Sequence, residues 1–551
     1  MDCTRRSGKF EIALTRYRPM AMVALAAGLV ACGDDDVAAT IKPVPDPVSV
    51  TDAATRCAAL AGLSVPSSAF GLAAGGASLS EAVVVPADTT TGAPEYCRVK
   101  GAVAAAQSSD PPILFQVNLP SIWNVKMVQF GGGGFNGTVI TGTGNVSNAS
   151  SDAATPLVRG YVTFGGDSGH SGADVSWILN AQALANYAGE SVKRTRDVAV
   201  ALVDAYYAKA PARTYYIGGS KGGHEGLVAA QRYAADYDGV VAYYPANQNQ
   251  AMVLSWYRMW QAAYEVPGGW LNPAKQTLLR TKVMQACDAL DGLTDNIVGN
   301  VEACQTAFAV SSLRCADGTD QGDSCLSDTQ INTLMTAATP LNFAFPLAFG
   351  VTSIGPYPVF NGGDLGVWLD STGTGTGTSY YGFNDPTIRY VIQQNPAATS
   401  VNFDYRPWQA RVQEFSAMYD ATNPDIDAFK AKGGKLIIVQ GTTDMLVTHT
   451  TTTAYVDRLS TRYPRQLSDF VRYYVVPGFG HGNGSFNARW DSLSALEAWS
   501  EKSQAPVAPV ASDNNAATRG RTRPMCEHPA WPKYDGSGDV NLAASYSCVV
   551  R

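Results

Sequence analysis

Apolar, β-prone runs alternate with helical patterns between residues 80 and 245. Lys126–Phe130, Tyr161–Phe164 and Thr214–Ile217 have the length and composition of strands, and Ser191–Ala208 has a helical pattern between the last two. Strands that alternate with helices form a mostly parallel sheet with helices on both faces. The pattern therefore predicts the α/β fold class.

The alternation stops in the middle of the chain and returns later. Residues 247–423 are rich in Trp, Tyr, Gly and Thr, carry four cysteines and show no alternation. The strand patterns Lys435–Val439 and Phe470–Val476 follow. We therefore predict an α/β domain in two parts, 51–246 and 424–551, interrupted by an inserted domain.

The N-terminus has the pattern of an export signal. Five Lys and Arg residues precede the uncharged apolar run Met20–Ala31, which is too short to span a membrane. The run ends in Leu29-Val30-Ala31-Cys32, which resembles a bacterial lipobox in which Cys32 is lipidated; ordinary cleavage with an incidental Cys32 is the alternative. We predict a lipoprotein-type signal peptide at 1–32 and a linker at 33–50. The mature protein would be anchored to the bacterial outer membrane by lipid, or be periplasmic or extracellular.

Charge and cysteine content narrow the class of protein. The net charge of −7 comes without a basic cluster, which argues against nucleic-acid binding. Of the ten cysteines, Cys3 and Cys32 precede the predicted mature fold, and the other eight are an even number, as expected of disulfides in an exported chain. Neighbours along the sequence suggest pairs, but eight cysteines allow many pairings, so spacing alone does not fix them.

A serine stands where a predicted strand meets a predicted helix. The segment Gly218-Gly219-Ser220-Lys221-Gly222-Gly223 follows a strand directly, and an alanine-rich helical pattern follows the segment. Such a turn exposes the serine hydroxyl on strained backbone, as in the nucleophile elbow of α/β-hydrolases. Glycine-flanked serines are common by chance, but the strand before and the helix after favour Ser220 as a nucleophile.

The chain has five histidines from which to choose a base. His224 lies on the helix after the serine and points away, and His170 precedes the serine, against the Ser, acid, His order of α/β-hydrolases. His449 begins a Thr-rich run where it caps a helix, and His528 lies in a Cys-bounded tail. His481 follows a strand on a glycine-rich loop, where an imidazole can reach back over the sheet edge. We therefore predict His481 as the base.

The acid is expected after the preceding strand. Asp444 comes just past the apolar strand Lys435–Val439 and a glycine. A turn-forming aspartate is the alternative, because Asp is common in turns. Its position and order favour Asp444 as the residue that orients His481 and stabilises the imidazolium.

Two backbone N–H groups are needed to stabilise an oxyanion. One is that of Lys221, directly after the nucleophile, and the other is expected from the loop Gly131-Gly132-Gly133-Gly134, with Gly132 or Gly133 as the donor. A phosphate-binding loop is the rival, but the Lys-Ser/Thr of a P-loop is missing, and no organic cofactor is expected. Ser171, a competing serine, lacks the flanking strand and helix.

An acidic loop in the insertion suggests a metal. Asp288, Asp291 and Asp295 lie within eight residues around a glycine, and closely spaced oxygen donors with a turn-forming glycine suit Ca²⁺. The loop is not an EF-hand, because the spacing differs and no closing Glu follows. An acidic, solvated turn is the alternative.

Together these segments resemble the tannase/feruloyl esterase family, from about Cys57 to Cys548. The resemblance is carried by the nucleophile segment, by a stretch after it and by the C-terminal tail: Gly218–Leu227, Gln231–Tyr233, Asp236–Gly239, Arg523–Cys526 and Gly536–Asp539. It implies an α/β-hydrolase fold whose insertion, 247–423, is a lid. It also implies a serine carboxylesterase that acts through an acyl-enzyme on small aromatic esters of feruloyl, galloyl or terephthaloyl type.

The resemblance further implies ligands and bonds. The calcium ligands would be the carboxylates of Asp288, Asp291 and Asp295 and the carbonyls of Leu293 and Ile297. The disulfides would be Cys57–Cys97, Cys287–Cys304, Cys315–Cys325 and Cys526–Cys548. Most members carry a disulfide between the residues next to the nucleophile and the base, where this chain has Gly219 and Gly482.

Three rival functions remain open at this point. They are an esterase for other small or aliphatic esters, a serine peptidase with the same triad, and a surface-displayed binding protein on a degenerate hydrolase fold. The intact Ser220, Asp444 and His481 set argues against the last. Lid aromatics, namely Trp256, Trp260, Tyr380, Tyr381 and Trp408, are candidates for an apolar acyl slot, with core packing as the alternative for each.

Overall fold

A computed structural model describes residues 43–172 and 174–550. The largest element within them is a ten-stranded sheet. In chain order its strands are β1 (Ser64–Val65), β2 (Ala77–Val85), β3 (Tyr96–Val103), β4 (Ile113–Pro120), β5 (Lys126–Phe130), β6 (Val162–Gly166), β7 (Arg213–Gly219), β8 (Gly239–Tyr243), β9 (Lys435–Gly441) and β10 (Val471–Val476). Shorter strands pair elsewhere: Val48–Ser49 with Ile122–Trp123, Leu341–Asn342 with Ser353–Ile354, Ala488–Arg489 with Val510–Asp513 and Thr522–Pro524, and Trp531–Tyr534 with Tyr546–Val549.

The sheet is part parallel and part antiparallel. Its strand order is β10-β9-β8-β7-β5-β6-β4-β3-β2-β1. The first six strands in this order run parallel to their neighbours, and the remaining four pair antiparallel. Because β7, β8, β9 and β10 are adjacent and parallel, the loops that follow them meet at one edge of the sheet.

Some of the α-helices cover both faces of the parallel half of the sheet, and others form the insertion or pack elsewhere. The described residues contain thirteen α-helices. They are α1 (Ala53–Ala59), α2 (Ala181–Ala185), α3 (Ser191–Tyr207), α4 (Lys221–Arg232), α5 (Asn249–Tyr264), α6 (Pro273–Cys287), α7 (Val301–Ala307), α8 (Asp328–Ala338), α9 (Ser379–Pro386), α10 (Gln409–Tyr419), α11 (Asp427–Lys432), α12 (His449–Arg462) and α13 (Ser492–Lys502). Leu436 and Ile438 of β9 pack with α4, α11 and α12, whereas Ile437 and Val439 pack with α13. A strand buried on both faces needs a continuous apolar run, which is the pattern that the sequence shows.

Within the described residues, the insertion 247–423 between β8 and β9 forms six α-helices, α5 to α10, with an apolar core of their own. Trp256, Trp368 and Tyr380 lie in this core, which extends to Met445 and Val447 just after β9. The insertion therefore packs directly on the loop that follows β9.

The α/β fold class predicted from the sequence is confirmed. The predicted signal peptide at 1–32, with Cys32, and the first part of the 33–50 linker lie outside the described residues. Within residues 43–172 and 174–550, the helices are all too short or too polar to cross a membrane.

The described residues contain four disulfides, of which Cys57–Cys97 joins α1 to β3 and Cys287–Cys304 joins α6 to α7. All four are the pairs implied by the family resemblance: Cys57–Cys97, Cys287–Cys304, Cys315–Cys325 and Cys526–Cys548. Such bonds are typical of proteins that fold in an oxidising compartment. With four disulfides formed, the expectation that this chain lacks a bond usual in its relatives gains no support from the structure and stays a prediction.

Candidate active site

Ser220 stands on a sharp turn between β7 and α4. Its φ and ψ are 58° and −120°, a left-handed conformation that a residue with a side chain rarely adopts. Its N–H donates to the Tyr243 carbonyl at 3.0 Å, and its own carbonyl accepts from the His224 N–H at 3.0 Å and the Ala246 N–H at 3.1 Å. The turn is fixed through the backbone, which leaves the hydroxyl free of that task.

The tightness of this turn requires glycine. A β-carbon on Gly218 would lie 2.6 Å from the carbonyl carbon of Gly222, far inside van der Waals contact. Gly222 also donates its N–H to the Gly132 carbonyl at 3.1 Å. The glycines of the nucleophile segment therefore bring the loop after β5 against the first turn of α4.

Asp444 and His481 form a hydrogen-bonded pair at the same edge of the sheet. His481 donates from Nδ1 to Asp444 Oδ2 at 2.8 Å. Asp444 is fully buried, and its Oδ1 accepts the N–H groups of Leu446 at 2.8 Å and Val447 at 2.9 Å. With Nδ1–H committed to the carboxylate, Nε2 of His481 is the unprotonated nitrogen of the neutral ring and can accept a proton.

The loops that carry Asp444 and His481 are joined to each other through the backbone. The N–H of Thr443 donates to the Phe479 carbonyl at 3.0 Å. The N–H of Gly478 donates to the hydroxyl of Thr442 at 3.0 Å. These bonds fix the separation of the acid and the base.

Residues of the insertion hold the acid loop from the other side. The indole N–H of Trp256 donates to the Leu446 carbonyl at 3.1 Å, and the Tyr380 hydroxyl donates to the Met445 carbonyl. Asn361 donates to the Thr442 carbonyl at 2.9 Å. Trp256 and Tyr380 thus have a structural role, the alternative considered for them.

The other three aromatics suggested for an acyl slot also pack within the insertion. Trp260 is 5% exposed and donates its indole N–H to Gly375. Tyr381 and Trp408 pack at the margin of the same core.

One of the two predicted oxyanion glycines already has a partner. The N–H of Gly132 donates to Oε2 of Glu225 at 3.2 Å. A β-carbon on Gly133 would meet no atom within 4 Å, so this residue faces open space. Lys221 is the first residue of α4, where backbone N–H groups have no partner within the helix. The geometry therefore favours Gly133 over Gly132 as the donor beside Lys221.

Glu225 is the centre of a buried polar cluster behind this loop. It accepts hydrogen bonds from Tyr216 at 2.7 Å and from Asn136 at 2.8 Å, and its carboxylate lies 3.3 Å from Nζ of Lys221. Burial alone would raise the pKa of Glu225, but the charge of Lys221 and these hydrogen bonds outweigh it and lower the pKa. The carboxylate therefore stays ionised and anchors the N–H of Gly132.

The hydrogen bonds of His224 and His170 go to groups other than Ser220, Asp444 and His481. Buried His224 donates from Nε2 to the Tyr419 carbonyl at 2.7 Å, and His170 donates from Nε2 to the Phe135 carbonyl at 2.7 Å while stacking on Trp177. His449 is the first residue of α12, and His528 packs on a tyrosine of β10. The competing Ser171 donates its hydroxyl to Asp167.

The acidic loop of the insertion carries buried carboxylates. Asp288 and Asp291 are 6% and 8% exposed, and burial together with the charges of Asp295 and Asp288 raises the pKa of Asp291 to about 7. Asp295 is paired with Arg523 at 2.8 Å. Within the described residues, no group of three or more acidic, His or Cys side chains is placed to hold a metal ion. The calcium site, with Leu293 and Ile297 as further ligands, therefore stays a prediction.

Two residues of the site were missed by sequence reasoning. Glu225 lies five residues after Ser220 in the quoted motif, yet nothing in the pattern tied it to the loop after β5. Tyr244 directly follows β8, which lies beside β7, the strand that ends just before Ser220. Its ring lies 4.5 Å from that of His481. Its position at the carboxyl end of a central parallel strand is the signal that could have pointed to it.

Known proteins resemble this chain over most of its length. The family model described as tannase and feruloyl esterase matches residues 97–549. An uncharacterized esterase of Agrobacterium fabrum is 35% identical over 520 residues, which cover 90% of this chain and 93% of that protein. The mono(2-hydroxyethyl) terephthalate hydrolase of Piscinibacter sakaiensis is 29% identical over 517 residues, with coverages of 83% and 85%. The solved structure of feruloyl esterase B from Aspergillus oryzae has a TM-score of 0.73 at 21% identity, covering 86% of this chain and 97% of that one.

Proposed function

Because this chain belongs to the tannase and feruloyl esterase family, and is a carboxylic ester hydrolase with an α/β-hydrolase fold, we propose that it cleaves esters of aromatic acids through Ser220, His481 and Asp444. The observation that carries the assignment is the 2.8 Å hydrogen bond from His481 to buried Asp444. Support also comes from the strained turn at Ser220, which follows β7 at the same edge of the sheet, with β8 between β7 and β9.

The proposed reaction proceeds through an acyl-enzyme. Ser220 Oγ attacks the ester carbonyl while Nε2 of His481 takes its proton, and Asp444 stabilises the imidazolium that forms. The tetrahedral oxyanion is stabilised by the N–H groups of Lys221 and Gly133. The C–O bond to the alcohol then breaks, and His481 returns the proton to the leaving alkoxide. Water attacks the acyl-enzyme by the same route and releases the acid and free Ser220.

An aromatic acyl group suits the surroundings of the oxyanion loop. Phe135, two residues after Gly133, packs its ring 5.3 Å from that of Phe383 and 6.3 Å from that of Trp177. All three side chains are only partly buried. Relatives named as feruloyl esterases and a terephthalate monoester hydrolase support the same substrate class. Feruloyl, galloyl and terephthaloyl esters are the proposed candidates, and aliphatic esters or peptides are the alternatives.

A substrate panel tests this function. Purified protein would be assayed on methyl ferulate, methyl gallate, mono(2-hydroxyethyl) terephthalate, p-nitrophenyl butyrate and a peptide p-nitroanilide, with Ser220→Ala as the matched control. We expect the highest kcat/KM on one of the three aromatic-acid esters and no turnover by Ser220→Ala. Highest kcat/KM on p-nitrophenyl butyrate would favour the aliphatic alternative, and cleavage of the anilide alone would favour a peptidase. Absence of turnover on all five would contradict the proposal.

Export and metal binding complete the proposal. The four disulfides support an exported protein. We propose that Cys32 carries a lipid anchor to the bacterial outer membrane, with periplasmic or extracellular release as the alternative. Calcium in the loop from Asp288 to Ile297 is proposed as a structural ion, since it would offset the charge of the buried carboxylates there. The proposed reaction does not depend on it.

A further inference from the structure

The side chain of Tyr244 fills the space between the turn of Ser220 and the loop of His481. A β-carbon placed on Gly219, the residue before Ser220, would lie 2.9 Å from the Tyr244 hydroxyl oxygen and 2.9 Å from its ring carbon Cε2. A β-carbon on Gly482, the residue after His481, would lie 3.0 Å from the same oxygen. One phenol group therefore separates the two segments that carry the proposed nucleophile and base, and it leaves room only for glycine on either side.

Tyr244 is itself held from several directions. Its hydroxyl donates to Oδ1 of Asn148 at 2.9 Å, and its backbone N–H donates to the Val439 carbonyl at 2.7 Å. The residue is 8% exposed, and its ring lies 4.5 Å from the imidazole of His481. These contacts hold the phenol ring in one position.

The backbone at Tyr244, which carries this ring, is strained. Its φ is 31°, in the left-handed region, and Pro245 follows it. A bulky residue in this region costs free energy, and such residues persist only where the surrounding structure fixes them, often at active sites. The strained residue is therefore the one whose side chain lies against the segments of both Ser220 and His481.

We propose that Tyr244 is a positioning residue for the proposed hydrolysis, and that its ring sets the separation between Ser220 and His481. This inference rests on the proposed function for its effect on rate, but its packing claim stands on the contacts alone. The ring acts as a spacer. Its hydroxyl keeps its proton at neutral pH and does not act as an acid or a base, since burial and the nearby charge of Asp444 raise the pKa of Tyr244 to about 12. Filling the space, more than the hydroxyl, should therefore matter for catalysis.

Substitutions of Tyr244 separate this role from general support of the core. We expect Tyr244→Ala to lower kcat at least tenfold on the best ester while changing KM less than threefold, because the nucleophile and base lose their fixed separation. Tyr244→Phe keeps the ring and should retain at least a third of the kcat of the wild type. The matched control is Tyr474→Ala, a fully buried tyrosine on the strand before His481 that packs on Trp490. It should lower the melting temperature but hold kcat within threefold below that temperature.

Gly219→Ala provides a second test. Its effect on the melting temperature measures the packing against Tyr244 independently of enzymatic activity. The added methyl collides with the Tyr244 ring, so Gly219→Ala alone should lower both the melting temperature and kcat. In a Tyr244→Ala background the same change should cost at most a third of that loss in melting temperature, since the ring is gone. Equal losses in both backgrounds would overturn the proposal, and so would a folded Tyr244→Ala variant with wild-type kcat. If the wild type turns over no ester, the proposed function fails, and the coupling in melting temperature alone then decides the packing claim.

Discussion

Glu225 holds the backbone N–H of Gly132 at 3.2 Å from its buried carboxylate. This bond fixes the loop after β5, on which Gly133 is the proposed oxyanion donor. The charge of the carboxylate is matched by buried Lys221, 3.3 Å away. A residue on the nucleophile helix thus positions a loop that lies far from it in sequence.

Glu225→Gln should therefore slow the reaction without removing a group that touches the substrate. The glutamine amide cannot accept all the hydrogen bonds that the carboxylate accepts, so the loop shifts. Loss of one oxyanion donor costs about 10²–10³ in kcat, and a displaced donor should cost roughly 10–100-fold on this basis. Steady-state kinetics on the best ester measure the effect, and an unchanged kcat would contradict this role.

A double variant separates position from stability. In Glu225→Gln the buried Lys221 cation loses its partner, and breaking a buried pair in this way costs about 3–5 kcal/mol. Adding Lys221→Met removes that cation, so the melting temperature should recover while kcat stays low. Recovery of both together would assign Glu225 a purely structural role.

Asp444→Asn should abolish most of the activity while leaving the fold intact. An asparagine can keep the shape of the side chain, but it no longer stabilises the imidazolium, and it can orient His481 in the wrong tautomer. In serine proteases the equivalent change lowers kcat about 10⁴-fold, and we expect a loss of similar order. The matched control is Asp457→Asn, an exposed aspartate on α12, which should retain the kcat of the wild type. Less than tenfold loss in Asp444→Asn would point to a different acid.

The pH dependence of the free energy of unfolding should show the effect of the raised pKa of Asp420. Burial at the end of α10 raises the pKa of this carboxyl from 3.8 to about 7, even though Ser416 and the N–H of Gln250 donate to it. A carboxyl with a raised pKa binds its proton more tightly in the folded state. The stability that it contributes is therefore complete below pH 3.8 and is lost as the pH rises through 7.

Asp420→Asn removes this dependence, since its amide can bond to the same partners without titrating. The free energy of unfolding of the wild type should fall from pH 5 to pH 8 more steeply than that of the variant, by at most about 1.4 kcal/mol per pH unit. Chemical denaturation at both pH values measures the difference. Parallel pH profiles for the two proteins would count against the raised pKa.

Removal of calcium tests the acidic loop of the insertion. If an ion offsets the buried carboxylates of Asp288 and Asp291, a chelator should lower the melting temperature and added CaCl₂ should restore it. Asp291→Asn should make the melting temperature insensitive to both treatments. If chelator lowers the melting temperature of this variant and of the wild type equally, the ion binds elsewhere. If chelator changes neither melting temperature, the protein has no structural calcium.

Features of the fold and the site that depend on neighbouring residues could be predicted from the sequence. β5 has the bounds predicted for it, and α3 ends one residue before its predicted end. The strand–turn–helix at Ser220 is predictable because it depends on glycines and apolar runs that are close together in the sequence. The partner of the Gly132 N–H was not visible, because it depends on which side chain of α4 faces a loop 93 residues away. The aromatic composition of the insertion suggests Trp256 and Tyr380 for an apolar slot, yet they donate to the carbonyls of Leu446 and Met445, just after Asp444. Aromatic composition does not reveal which way a ring points.

The last prediction concerns an engineered disulfide between positions 219 and 482. On sequence grounds, relatives are expected to carry cysteines there, and installing both would be expected to tie the serine and histidine loops. In this structure the sulfur atoms would have to occupy the volume of the Tyr244 phenol group, since β-carbons at both positions lie within 3.0 Å of its hydroxyl oxygen. Gly219→Cys/Gly482→Cys alone should therefore lower the melting temperature and leave free thiols. The same pair combined with Tyr244→Ala should form the bond, restore kcat to within about tenfold of the wild type, and lengthen the half-life of activity at high temperature, since a cross-link stabilises by about 2–4 kcal/mol. Titration of free thiols and thermal inactivation of the two variants measure this. A disulfide that forms equally well with Tyr244 in place would show that the ring does not fill the gap.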